Sequence, residues 1–208
     1  MLDWFLLALF FSASACLSPG PNNVMLFLSG MNFGVKRSLP HYYGICFAYP
    51  LKILLVGLGI TNLGIWLPYI VVIAHIAAII FLIWYVLQVV HVTDPRYIKH
   101  DKPMTYHEAE LFQWLNVKGW AVAITANTLI PTQAELQPAY YCVLLALTFM
   151  LVSLPIYQLI LWLGVWVRHT QKMYALKLTI NKLASFLLVG SALFLLYEEV
   201  SGQFIEFF

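Results

Sequence analysis

Long apolar stretches constrain this chain more than any other feature. An α-helix needs roughly 20 apolar residues to cross a bilayer. Six stretches are about this long, at residues 4 to about 31, about 42–61, 69–90, 111–130, 140–167 and about 180–197. Backbone groups without partners are costly in lipid, so each stretch must be helical. The sequence therefore predicts an all-α polytopic membrane protein with six transmembrane helices in one domain, residues 1–208.

The composition supports a membrane protein and excludes other classes. Hydrophobic residues make up 62% of the chain and charged residues 10%, against roughly 45–50% and about 25% in soluble domains. The net charge of +2 gives no field that would attract a polyanion. A cytosolic globular domain, a disordered tail and a nucleic-acid binder are therefore excluded.

The basic residues predict the orientation of the helices. The connections after the first, third and fifth stretches hold all of the connecting Lys and Arg residues, and those after the second and fourth hold none. The basic residues are Lys36, Arg37, Arg96, Lys99, Lys102, Arg168, Lys172, Lys177 and Lys182. The positive-inside rule places these three connections in the cytoplasm. Both termini then lie outside, unless the first stretch is re-entrant.

The first stretch is interrupted by Ser18-Pro19-Gly20-Pro21-Asn22-Asn23. A proline inside a helix removes a backbone donor and clashes with the preceding turn, so a break in the first helix is expected. Pro21 suits the first turn of a second half-helix. The amide end of that half-helix would carry partial positive charge and could bind a carboxylate. Broken helices are a recurring way to build transporter sites; the alternative is a simple kink packed by neighbouring helices.

A second polar interruption lies near the start of the fourth stretch. Asn116 and Lys118 precede Gly119 there. Lys118 lies about 10 Å from the inner edge by helical rise. Its side chain could extend to the cytoplasm or could contribute to a site, and spacing alone leaves both open.

Lys52 lies near the centre of the second stretch, and no Asp or Glu lies in the core of any stretch. A lysine at this depth costs about 2.5–3.5 kcal/mol on insertion scales. We therefore expect Lys52 to face a wet cavity, freed carbonyl groups or an anionic ligand. The alternative is an uncharged amine.

Two further prolines predict helix breaks, Pro50 in the second stretch and Pro155 in the fifth. Their positions correspond if residues 1–91 and 108–208 are three-helix halves joined by the polar loop 91–110. An odd number of crossings in each half forces opposite orientations. The sequence therefore predicts two inverted three-helix repeats.

These motifs together resemble the LysE/RhtB family of bacterial amino-acid exporters. The similarity lies in residues 18–26, 29–34, 39–44, 55–59 and 111–120. It implies that the protein exports amino acids or close derivatives across the bacterial inner membrane and that the proton motive force drives this export. It also implies a homodimer. It also implies site roles for Pro19, Gly20, Pro21 and Asn22, and for Asn116 and Lys118. The expected partners are an amino acid, protons and membrane lipid. No cofactor and no nucleic acid are expected. Asn23 and Lys52 complete the candidate substrate site.

The chain departs from the family pattern at three positions. Val117 replaces the usual proline of the second motif. A similar Asn-Val-Lys occurs in the branch that resembles cysteine and O-acetylserine exporters, which implies a small polar substrate. Tyr49 stands where many members carry an acid, and Lys52 stands where an apolar residue is expected.

Two other classes of function are weighed against the exporter. A transporter of metal ions or another small solute would cluster Cys, Met or acidic residues at one depth, and Cys16, Cys46 and Cys142 are the candidates. An intramembrane enzyme would need a Gly-x-Ser-x-Gly serine, a His-Glu-x-x-His motif or paired aspartates, and none of these is present. We therefore predict a transporter that is not an enzyme and that holds no metal.

Overall fold

A computed structural model describes residues 2–18, 20–63, 102–131 and 137–169, with single helical positions at 73, 76, 77, 80, 83, 84, 179, 183, 186 and 190. These residues form α-helices and no strand. The longer helices are α1 (Leu2–Leu17), α2 (Pro21–Phe33), α3 (Val35–Leu63), α4 (Tyr106–Leu115), α5 (Val117–Thr128) and α6 (Pro138–His169). Apart from those single positions, the crossings predicted at 69–90 and 180–197 lie outside the described residues, as does most of loop 91–110.

The first apolar stretch is broken where its prolines predict a break. α1 ends at Leu17, α2 begins at Pro21, and the two helices are bent by 60°. Pro21 occupies the first turn of α2, where a backbone N–H would have no intrahelical acceptor in any case. Because one helix stops and another starts, a kink inside a continuous helix is the wrong interpretation.

A second break divides the stretch predicted as the fourth crossing. α4 ends at Leu115 and α5 begins at Val117, with Asn116 between them at φ −70° and ψ 110°. α4 has 10 residues and α5 has 12, so neither is long enough to cross a bilayer alone. The polar interruption seen in the sequence is therefore a true break between two short helices.

The two long helices continue through their prolines. α3 includes Pro40 and Pro50 and α6 includes Pro155, without interruption. The helix breaks predicted at Pro50 and Pro155 are therefore wrong. A proline removes one backbone hydrogen bond, but neighbouring helices and small local adjustments can hold a packed helix together around it.

The long helices α3 and α6 lie at the centre of the described bundle: α2 packs on both, α4 and α5 pack on α3, and α1 packs on α6. α2 and α6 approach each other at two glycines. A Cβ atom at Gly30 would overlap the carbonyl oxygen of Leu161, and one at Gly164 would overlap that of Phe27. The absence of a side chain at both positions therefore allows the two backbones to touch.

Several observations place this bundle in a membrane. Val35–Gly59 in α3 and Pro138–Arg168 in α6 are each long and apolar enough to cross, and the bent α1–α2 pair is a third crossing if it forms one span. α6 exposes Leu151, Trp162 and Trp166 on its outer face, as a lipid-facing helix does. Each described half has a broken helix followed by a long proline-containing helix, but the full six crossings and the inverted repeat stay predictions.

Candidate substrate site between two helix breaks

Both helix breaks border one small cavity. Its walls come from α1, α2, α3, α5, α6 and the two breaks, through Ala15, Gly20, Pro21, Asn22, Asn23, Tyr49, Asn116, Lys118, Gly119 and Tyr157. The cavity has a volume of about 10 Å³, which is room for about one water molecule. No acidic residue lines it, and one lysine does. A solute larger than water can therefore enter only when these walls separate.

Two helices begin at this cavity without a side-chain cap. Gly20 precedes α2 and has no side chain to cap it, and the Asn116 side chain makes no capping bond to α5. α4 differs, because Thr105 and Glu108 form a complete capping box with bonds of 3.3 and 2.7 Å. The first N–H groups of a helix lack intrahelical acceptors. The cavity therefore lies beside two helix ends that carry partial positive charge.

The carbonyl end of α1 is capped by side chains from both breaks. Asn23 Nδ2 donates to the carbonyls of Cys16 and Ser18, at 3.0 and 3.1 Å. Lys118 Nζ donates to the Ser18 carbonyl at 2.6 Å. This contact with the α1–α2 break favours the interpretation of Lys118 as a site residue. Gly20 makes room for this lysine, because a Cβ there would lie 3.1 Å from Lys118 Nζ.

Lys52 caps the carbonyl end of α4 in the same manner. Its Nζ donates to the Gln113 carbonyl and lies 3.5 Å from the Asn116 carbonyl. The Nζ atom also lies 4.8 Å from the ring centre of Trp120 and 5.7 Å from that of Trp114, a distance at which a charged lysine is attracted to an aromatic ring. The expectation that Lys52 meets free carbonyl groups is confirmed, but they belong to α4.

Lys52 lies next to the cavity but does not line it. The residue is fully buried and is not among those that line the cavity. Gly119 separates the two, since a Cβ on Gly119 would lie 3.1 Å from Lys52 Nζ. Lys52 therefore supports the wall of the cavity from behind.

A pair of buried amides links the two breaks. Asn22 Nδ2, at the start of α2, donates to Gln113 Oε1 on α4. Asn22 Oδ1 and Gln113 Nε2 are buried, and neither has a hydrogen-bond partner among the described residues. A buried polar atom without a partner costs about 1–3 kcal/mol. The pair therefore holds an unused acceptor and an unused donor beside the cavity.

Two tyrosines form the opposite walls. Tyr49 on α3 and Tyr157 on α6 are both buried, and both line the cavity. Tyr157 lies beside the Cys16 side chain. Sequence reasoning did not place either tyrosine in the site. The available signal was their position, since Tyr49 precedes Pro50 and Tyr157 closely follows Pro155.

Most of the predicted site residues lie together. The structure brings Gly20, Pro21, Asn22, Asn23, Asn116 and Lys118 to the same cavity. Pro19 lies outside the described residues, and Lys52 lies behind Gly119. Gln113 was missed as a site residue, although it stands three positions before Asn116. Its importance depends on contact with Asn22, which no local pattern indicates.

The metal-transport alternative finds no support in the part of the chain that the structure describes. Cys16, Cys46 and Cys142 are free and buried there. Cys142 Sγ lies 3.8 Å from Asn127 Oδ1, in a different environment from Cys16. Among these described residues, no group of three His, Cys, Asp or Glu side chains is arranged to hold a metal ion.

Comparison with known proteins identifies a protein family. A family model described as LysE type translocator matches residues 13–199. No curated protein and no solved structure shows a significant match to the chain.

Proposed function

Because the chain belongs to the LysE type translocator family, we propose that it exports an amino acid or a small amino-acid derivative from the cytoplasm. The family consists of membrane translocators, which agrees with the apolar helices of the bundle and with a transport protein rather than an enzyme. Location in the bacterial inner membrane and driving by the proton motive force belong to the same proposal, and both rest on the sequence resemblance.

One observation carries the proposal: two uncapped helix ends and a lysine ammonium border a cavity without an acidic residue. Partial positive charge from α2 and α5 favours an anion between them. Lys118 adds a full positive charge that at present faces the Ser18 carbonyl. A carboxylate is the anion that every amino acid supplies.

The amide of Asn22 supplies the complementary group. Its Oδ1 atom is an acceptor without a partner, in a side chain that is 7% exposed and lines the cavity. The ammonium group of an amino acid is a donor that can satisfy it. An amino acid held by both ends is therefore favoured over a simple carboxylic acid.

The walls of the cavity favour a small, uncharged substrate side chain. Tyr49 and Tyr157 offer hydroxyl groups, and Ala15 is small. A cationic side chain would find no acidic partner among these residues. This agrees with the small polar substrate that Asn116-Val117-Lys118 implies by resemblance.

Transport requires the cavity to open toward each side of the membrane in turn. In the closed form seen here, Asn22 is bonded to Gln113 and Lys118 to Ser18. Both contacts join the α1–α2 break to the α4–α5 break. Separation of the two breaks would release both polar side chains to the entering substrate.

Efflux from intact cells tests the proposed function. Cells that overproduce the protein are loaded with dipeptides, and each amino acid and O-acetylserine are measured in the medium. We expect one or a few small neutral compounds to accumulate above the level of cells with empty vector. A protonophore should lower this accumulation. Unchanged efflux of all twenty amino acids and O-acetylserine would contradict the proposal.

The Asn22→Leu variant tests the site. We expect efflux to fall to the empty-vector level with membrane abundance unchanged, because the acceptor for the ammonium group is lost. Asn127→Leu is a matched control, since Asn127 donates to the Ile53 and Ala123 carbonyls and is not among the cavity-lining residues. Normal efflux from Asn22→Leu would remove Asn22 from the site.

A further inference from the structure

An open groove lies away from the substrate cavity, where α2 ends, α3 begins and α6 ends. Its walls include Phe33, Lys36, Trp162, Val165 and Arg168, and its volume is about 370 Å³. That volume lies within the range of sites for small organic ligands, about 300–1,000 Å³. The groove shares no lining residue with the substrate cavity.

The groove is basic on one side. Lys36 and Arg168 are exposed and line it. Arg168 Nη1 donates to the Asn32 carbonyl at 3.2 Å, which fixes the guanidinium at the end of α2 and uses one of its five donors. α3 begins at Val35 in the groove wall and adds the partial positive charge of a helix start. None of the described residues that line the groove is acidic.

The other side of the groove is apolar. Phe33, Trp162 and Val165 form it. The Trp162 side chain is 53% exposed, and Trp166, one turn further along α6, is 69% exposed. Exposed tryptophans are typical of the level of the lipid headgroups. Basic groups and apolar surface therefore meet at the depth where a phospholipid changes from headgroup to acyl chain.

The two basic residues come from connections that the charge pattern places on the same side of the membrane. Lys36 follows the first apolar stretch and Arg168 follows the fifth, and both connections are predicted to be cytoplasmic. The cytoplasmic leaflet carries anionic lipids, which attract basic residues near the surface. Charge and depth thus both match an anionic lipid.

We propose that this groove binds one anionic phospholipid of the cytoplasmic leaflet. The lipid phosphate lies between Lys36 and Arg168, and its acyl chains lie along Trp162 and Val165. The lipid would join the end of α6 to the junction of α2 and α3. This proposal does not depend on what the protein transports.

Native mass spectrometry of the full-length protein tests the proposal. Protein from nanodiscs of phosphatidylglycerol and phosphatidylcholine is released, and the retained lipid is identified. We expect wild type to retain phosphatidylglycerol over phosphatidylcholine. Lys36→Gln and Arg168→Gln should each weaken retention about fivefold, since each basic residue contributes about that factor near an anionic surface. Lys102→Gln is the matched control, because Lys102 is exposed and does not line the groove.

Lys36→Gln distinguishes a loss of lipid binding from a folding defect, because the contact of Arg168 with the Asn32 carbonyl stays intact in that variant. Equal retention of both lipids by wild type would overturn the proposal. So would equal losses in Lys36→Gln and Lys102→Gln. Competition by soluble glycerol 3-phosphate as strong as that by the lipid would assign the groove to a free anion, which also overturns a lipid site. A dimer that retains no lipid, because a second copy of the chain covers the groove, would overturn it as well.

Discussion

The two helix breaks use the same chemistry in different surroundings. At each break, a lysine from another helix caps the free carbonyl groups: Lys118 caps the end of α1, and Lys52 caps the end of α4. Lys118 lines the cavity, whereas Lys52 is fully buried against two tryptophan rings. A cation that borders a cavity can exchange a carbonyl for a substrate carboxylate. A lysine that is sealed behind the wall can only hold the wall in place.

The largest effect is expected at the buried lysine. Lys52→Met keeps the length of the side chain but leaves the Gln113 carbonyl without its donor, at a cost of about 1–3 kcal/mol. We expect the melting temperature of the detergent-solubilised protein to fall by about 3–10 °C, with a matching loss of membrane abundance. Thermal shift by fluorescence-detected size exclusion measures both. An unchanged melting temperature together with lost efflux would place Lys52 in the substrate site. The proposed difference between Lys52 and Lys118 would then be wrong.

Lys118→Met should show the opposite pattern. Loss of a charged hydrogen bond to the substrate, worth about 1.5–3 kcal/mol, should lower efflux at least about tenfold. The melting temperature should change less than in Lys52→Met, because Asn23 still caps Ser18. Lys118→Arg should recover part of the efflux, since it keeps the charge. A variant that unfolds like Lys52→Met would show that both lysines are structural.

A double-mutant cycle sharpens the comparison by testing whether the breaks are coupled. Asn22→Ala and Gln113→Ala each remove one partner of the amide pair, so each should lower efflux, and Asn22→Ala should lower it more because it also removes the proposed acceptor for the substrate ammonium group. The efflux of the double variant should be hardly lower than that of Asn22→Ala alone. This corresponds to a coupling energy of about 0.5–3 kcal/mol between the two residues. Asn127→Ala combined with Gln113→Ala should be additive, because Asn127 contacts Ile53 and Ala123 instead. Additive effects of Asn22→Ala and Gln113→Ala would show that the two helix breaks are not coupled.

The smallest effect is expected at Gly20. Gly20→Ala places a Cβ 3.1 Å from Lys118 Nζ and Cδ, so the lysine must shift by a few tenths of an ångström. We expect efflux to fall about two- to threefold, because a flexible side chain absorbs most of the crowding. Gly190→Ala is the control, since its Cβ would meet no atom within 4 Å. Equal efflux from both variants would show that the position of Lys118 is not critical.

The first break could be predicted because its cause is local. Pro19 and Pro21 flank a glycine inside an apolar stretch, and proline chemistry alone ends one helix and suits the start of another. The interruption at Asn116 was also visible as polar residues in an apolar stretch. Single prolines misled the prediction, since Pro50 and Pro155 lie in continuous helices. A neighbouring bundle compensates for one lost hydrogen bond more easily than for two prolines in three residues.

The remaining features of the site depend on contacts between distant parts of the chain. Gln113 matters because Asn22 reaches it across 91 positions. Lys52 was expected to meet carbonyl groups, but the helix that supplies them is 61 positions away. The sequence alone does not show that Tyr49 and Tyr157 line the same cavity, because this depends on how α3 and α6 pack. Local patterns thus identify breaks in a helix, whereas the partners at those breaks require the packing.

The contact of α2 with α6 at Gly30 and Gly164 limits how this protein can move. Two backbones in contact cannot slide past each other without a clash, so α2 and α6 should travel as one rigid body. Among the described helices, a seam for rocking motion then lies between that body and the α4–α5 pair, with Asn22 and Gln113 on either side of it. A larger residue at Gly30 or Gly164 would push α2 and α6 apart and would shift Asn22 relative to Gln113. It would do so although neither glycine lines the substrate cavity.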